Sequence, residues 1–126
     1  MEKCEIKIKG KNYTVNFPNV EQLMEIEAIK MSLTNNKYVD YSMSVLKTHI
    51  YLLDMADAIS YLSVLIPELK DDLQIKNWKQ ADPGKLKELI SAYKNQFIPW
   101  YKDIFDDLYN YDSEDKKDGE QPKKET

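Results

Sequence analysis

The chain has 126 residues, 42% hydrophobic and 32% charged, with a net charge of −4. That length supports one modest core burying roughly 65% of the unfolded chain's surface, and the composition argues against disorder of the whole chain. The acidic balance disfavours nucleic acid, whose binders draw affinity from a basic field; the cluster Lys3, Lys7, Lys9 and Lys11 reads as the solvent face of a hairpin.

A single cysteine, Cys4, excludes an intramolecular disulfide and fits a cytosolic compartment. The first residues contain no apolar stretch of signal-peptide length. The richest apolar region, Val45 to Ile66, is interrupted by Lys47, His49, Asp54 and Asp57, so no membrane span is expected. A soluble intracellular protein follows as the expectation.

Residues 4–17 alternate. Cys4, Ile6 and Ile8 lie on one face of a strand, and Tyr13, Val15 and Phe17 on one face of a second. Gly10-Lys11-Asn12 supplies the turn between them. A hairpin alone is unstable in water, so its apolar face must cover helices. Pro18 ends the second strand. Asn19 with Gln22 forms a capping box that opens a helix through Val20, Leu23, Met24, Ile26, Ile29 and Leu33, and Thr34-Asn35-Asn36 ends it. Residues 38–66 are helix-rich: Met43, Leu46, Ile50 and Leu53 fall at helical spacing, and Asp54 is placed to cap a second segment. Apolar residues on more than one side make this the expected central, most buried element. Residues 67–81 fit neither period and read as a connector with one short helix.

Asp82-Pro83 is a strong helix start. A stripe follows through Leu86, Leu89, Ile90, Tyr93 and Phe97, and resumes in phase at Tyr101, Ile104, Phe105 and Leu108. Pro99 lies within it, so one helix kinked at the proline is predicted. Residues 111–126 are nearly all polar or charged and read as a flexible tail. The expected fold is α+β: an N-terminal β-hairpin packed on a mainly α-helical bundle (residues 1–110), followed by the charged tail.

No residue pattern points to catalysis. His49 is the only histidine and has no second histidine with which to hold a metal. Cys4 alternates with charged residues on a strand and reads as a small buried hydrophobe. Asp103, Asp106 and Asp107 share a helical region but lack a cation-binding loop, and read as a solvated face, as do Asp54 with Asp57 and Asp71 with Asp72. Three glycines, Gly10, Gly84 and Gly119, exclude both glycine-rich phosphate motifs. No catalytic residue, metal or cofactor is therefore assigned. The aromatics point elsewhere, because such residues dominate interface hot spots. Tyr13, Trp78, Trp100, Tyr101, Phe105 and Tyr109 are the candidate partner-binding residues. Trp100 and Tyr101 are adjacent, so they cannot both point fully inward.

Three stretches carry a resemblance: Ile8 to Pro18 (IKGKNYTVNFP), Leu65-Ile66-Pro67-Glu68-Leu69, and Tyr93 followed by Pro99-Trp100-Tyr101. Over residues 6–109 this layout resembles small structural-module proteins of tailed bacteriophages, the crAss-like group included, and tail-assembly chaperones. The resemblance implies a non-enzymatic virion protein of the head, connector or tail that binds other phage structural proteins and copies of itself in the host cytoplasm. Its alternatives are a chaperone absent from the mature particle, or a small acidic regulator of a host protein.

Overall fold

The structure, a computed structural model, describes residues 3–119, with side-chain burial through residue 109. An N-terminal hairpin, β1 (Lys3–Ile8) and β2 (Lys11–Asn16), packs on a mainly helical body. The helices are α1 (Val20–Leu33), α2 (Tyr38–Ser42), α3 (Lys47–Leu65), α4 (Leu69–Asp72), α5 (Lys87–Ala92) and α6 (Ile98–Gly119). No helix among the described residues is long and apolar enough to cross a membrane.

The hairpin is antiparallel, with Ile8 opposite Lys11 and Cys4 opposite Val15. Its turn is Lys9-Gly10, one step earlier than Gly10-Lys11-Asn12. Both residues have positive φ, 50° and 79°, as a two-residue turn matched to the strands' twist requires. Lys11 and Asn12 thereby belong to β2. Cys4, Ile6, Ile8, Tyr13 and Val15 form the buried face, which rests on α5 and the turn that follows it.

At α1 the capping box is present: the Asn19 side chain accepts from the Gln22 N–H at 2.8 Å, and the Gln22 side chain accepts from the Asn19 N–H at 3.0 Å. Asn35 and Asn36, in the left-handed region at φ 52° and 64°, stop the helix where expected. The stretch 38–66 departs from its expected form. Ser44 Oγ accepts from the Leu46 N–H at 3.1 Å, a local bond that replaces helix and turns the chain between α2 and α3. Met43 and Leu46 consequently sit at an exposed corner. Asp54 caps nothing; it lies inside α3 and pairs with Lys94 at 3.1 Å. The fully buried residues of α3, Ala56 and Ala58–Leu62, all lie in its second half, and α1, α2 and α5 pack against the helix.

The connector holds α4 and one short 3-10 turn, Trp78–Gln80; Leu69, Leu73 and Ile75 anchor it in the core. Asp82 caps Gly84, and Pro83 opens a 3-10 turn that leads into α5. The kink expected at Pro99 is resolved upstream. Residues Tyr93–Phe97 form a π turn, and the Ile98 N–H bonds the Tyr93 carbonyl. Proline has no N–H to give and its ring crowds the carbonyl four residues back. A widened turn just before it accommodates both problems without ending the helix.

α6 runs on to Gly119, so part of the stretch expected as a tail, residues 111–119, has helical backbone. The rest of the expected tail, residues 120–126, lies outside the described residues.

Candidate interaction surface

The stripe on α5 and α6 becomes a ladder of rings. Tyr93, Phe97, Tyr101, Phe105 and Tyr109 stack in sequence at centroid separations of 5.7, 5.3, 5.7 and 6.0 Å, with interplanar angles of 22°, 21°, 18° and 11°. A step of four residues overshoots one turn of a 3.6-residue helix. Over the first step, Tyr93 to Phe97, the wider π turn undershoots it, which offsets part of the drift. Tyr93, Phe97 and Tyr101 are buried. Phe105 and Tyr109 are 41% and 65% exposed, and Leu108 beside them is 52% exposed. The ladder thus begins in the core and ends in solvent.

Two of the six candidate partner residues are core instead. Tyr101 stacks on Phe17 at 5.2 Å and on Phe97 at 5.3 Å, and meets Tyr61 edge-on at 5.2 Å. Tyr13 is buried beneath the hairpin, and its hydroxyl donates to Asp72 at 2.8 Å. Burial and that carboxylate push the Tyr13 phenol up to about 12. The same Asp72 oxygen accepts from Lys11 at 2.7 Å, and these two bonds hold the Asp72 carboxyl below its ordinary range. Both tyrosines satisfied the hot-spot rule by type, but the alternation and the stripe that carried them also placed them inward.

Trp78 and Trp100 are half-buried. Trp78 lines a cleft of about 360 Å³ with Leu33, Tyr41, Met55, Ile59 and Leu86. Trp100 lies edge-on to Phe17 at 6.1 Å and tilted against Phe97 at 5.8 Å, and its buried Nε1 has no hydrogen-bond partner. Among the described residues, Phe105 and Tyr109 are the candidates exposed to solvent.

One cluster was not legible in the sequence. Lys30 is only 7% exposed. Its Nζ meets Glu27 at 2.8 Å and Asp57 at 3.8 Å, and lies 4.7 Å and 5.4 Å from the ring centroids of Tyr61 and Tyr38. The Tyr38 hydroxyl donates to Asp57 at 2.7 Å. Burial pushes the Asp57 carboxyl up, and the Tyr38 bond and Lys30 oppose that rise. Three elements meet here, so the signal was tertiary; only the i,i+3 spacing of Glu27 and Lys30 could have hinted at it. Every partner of Lys30 is a structural one, so the cluster reads as a clamp of α1 on α3.

The remaining chemistry-bearing residues do not converge. Cys4 is buried with its thiol pushed up by burial, and its Sγ donates to the Gln96 carbonyl at 3.5 Å. His49 stacks on Tyr41 at 4.6 Å and bonds Ser44. Asp103, Asp106 and Asp107 are exposed on α6. Among the described residues no three His, Cys, Asp or Glu side chains are grouped to hold a metal.

No family model, curated protein or solved structure matches the chain. The resemblance to structural and assembly proteins of tailed phages is corrected accordingly: nothing links the chain to a phage, a virion or a tail-assembly chaperone. The stretches that carried it answer local needs instead. Lys9-Gly10 makes a two-residue turn, Leu69 fills the core, and Pro99 sets the π turn.

Proposed function

We propose that the chain is a non-catalytic protein-binding module whose contact surface is the outer end of the aromatic ladder on α6. The observation that carries this is the ladder's passage from core to solvent. Phe105 is held parallel to Tyr101, which the core fixes, and Tyr109 is held parallel to Phe105. Rings ordered in advance lose little conformational freedom on binding, which is the property of hot-spot anchors. Asp103, Asp106 and Asp107 make the rest of this stretch acidic. The surface therefore suits a partner segment with an apolar centre and a basic rim.

Selection of a random helical-peptide library on the full chain tests this. Enriched peptides carry apolar anchors flanked by Lys or Arg, and Phe105→Ser with Tyr109→Ser abolishes their capture while circular dichroism is unchanged. Enrichment that survives both substitutions refutes the assignment.

A further inference from the structure

The hairpin has two outer edges, and the helices treat them differently. In a two-residue hairpin the residues flanking the turn, Ile8 and Lys11, exchange both backbone bonds, and every second pair does so after them. Lys3, Glu5 and Lys7 on β1, and Asn12, Thr14 and Asn16 on β2, then direct their N–H and C=O outward. On β1 this edge is occupied. The Lys7 N–H donates to Gln96 Oε1 at 2.8 Å, and Gln96 Nε2 donates to the Lys7 carbonyl at 3.1 Å, so one amide side chain imitates a neighbouring strand. The Lys9 N–H beyond it donates to Glu88 at 2.8 Å. On β2 no such partner exists among the described residues: the backbone groups of Asn12, Thr14 and Asn16 take part in no hydrogen bond outside the hairpin. All three residues are exposed.

A free edge is ordinarily guarded by charge, proline or a bulge. β2 has none of these from Asn12 to Phe17, and the lysine at its start, Lys11, is tied to Asp72. We propose that β2 pairs antiparallel with β2 of a second copy of this chain, about a two-fold axis through Thr14. In that register Thr14 faces Thr14, and Asn12 faces Asn16, so each facing pair exchanges two backbone hydrogen bonds. No like charges are brought together, as they would be if β1, with Lys3, Lys7 and Glu5, met itself. On the inner face Tyr13 is set against Val15 of the other copy, an aromatic against β-branched pair of the kind that stabilises sheets. The two hairpins become one four-stranded sheet with a helical body under each half. The neutrality and self-complementarity of β2 are what favour a second copy over a foreign strand.

Sedimentation equilibrium of the full chain across concentration provides the test, with variants chosen for register. Thr14→Pro removes the central outward N–H, which no bond among the described residues uses, and yields a monomer. Asn12→Lys with Asn16→Lys sets like charges opposite one another and weakens association at least about tenfold. Asn12→Lys with Asn16→Glu sets opposite charges there and restores or strengthens it. An isotope-filtered NOE between the Hα protons of Tyr13 and Val15 of different copies marks the register directly. A chain that stays monomeric to millimolar concentration overturns the proposal, even if a foreign strand binds the edge. So does a dimer that ignores both charge pairs, which would place the contact on another surface. The α6 surface is untouched by these variants, so either reading can fail without the other.

Discussion

Replacing Lys30 with Met should destabilise the protein in a pH-dependent way, because the loss depends on the charge of Asp57. The flexible thioether chain fits the space of the lysine stem, so the main change is electrical. The Asp57 carboxylate, whose side chain is 21% exposed, then keeps only the Tyr38 hydroxyl as a favourable partner. Removing one member of a fully buried pair costs about 3–5 kcal/mol; with Asp57 still partly wet and 3.8 Å from Nζ, about 2–3 kcal/mol is expected at neutral pH. The sign of the pH dependence follows from linkage. Burial raises the Asp57 pKa in the folded state above its unfolded value. Such a group contributes stability that is present in full below the unfolded pKa and lost as pH rises through the folded one. Without Lys30 the folded value climbs further, so the variant's deficit should be smallest in acid, where the Asp57 carboxyl takes up its proton, and widen to its full size near pH 7. Urea unfolding followed by tryptophan fluorescence at both pH values measures it. Asp57→Asn, which keeps an acceptor for Tyr38 and removes that titration, is the control background in which the Lys30→Met deficit should depend less on pH, with only the exposed Glu27 pair left to vary. An equal deficit at both pH values in the wild-type background would show that Asp57 carries no charge controlled by Lys30.

Two further outcomes follow from the same structure. Phe97→Ala empties a fully buried site ringed by Tyr61, Tyr93, Trp100 and Tyr101, and should cost about 3–5 kcal/mol in urea unfolding; a loss under about 1 kcal/mol would mean the rings close over the gap. Lys9→Asn, at φ 50° before Gly10, gives the turn its preferred Asn-Gly pair while keeping the backbone bond to Glu88, and should raise the thermal midpoint by a few degrees.

What was legible in the sequence followed from local chemistry. The alternation of Cys4, Ile6 and Ile8 with charged residues fixed both the hairpin and its inner face, and Asn19 with Gln22 fixed the start of α1. Asp82-Pro83 and the ring spacing marked the long C-terminal helical run. The errors lie where a competing local bond or a tertiary contact decided the outcome. Ser44 broke a segment whose hydrophobic spacing was helical. Asp54 had the residue type of a cap, but the helix ran through it and Lys94 satisfied its charge. Residue type alone also failed to sort the aromatics: Tyr13 and Trp78 differ in burial, and Tyr101 differs from Phe105, although each passes the same hot-spot criterion. Within the ladder, Tyr101 is covered by Phe17 and Tyr61, whereas Phe105 and Tyr109 have ring neighbours only along α6 among the described residues.

Pro99 joins the two surfaces. Its missing N–H favours the π turn, and the π turn does two things at once. It carries Tyr93 and Phe97, the first two rings of the stack that continues along α6 to Phe105. It also carries Gln96, whose side chain closes the β1 edge and whose carbonyl receives the Cys4 thiol. A regular α-helix through the same residues would rotate Gln96 relative to Phe97, because one fewer residue would complete the turn. Among the described residues, the edge of the hairpin that is closed is thus the one met by the π turn that precedes Pro99, far along the chain.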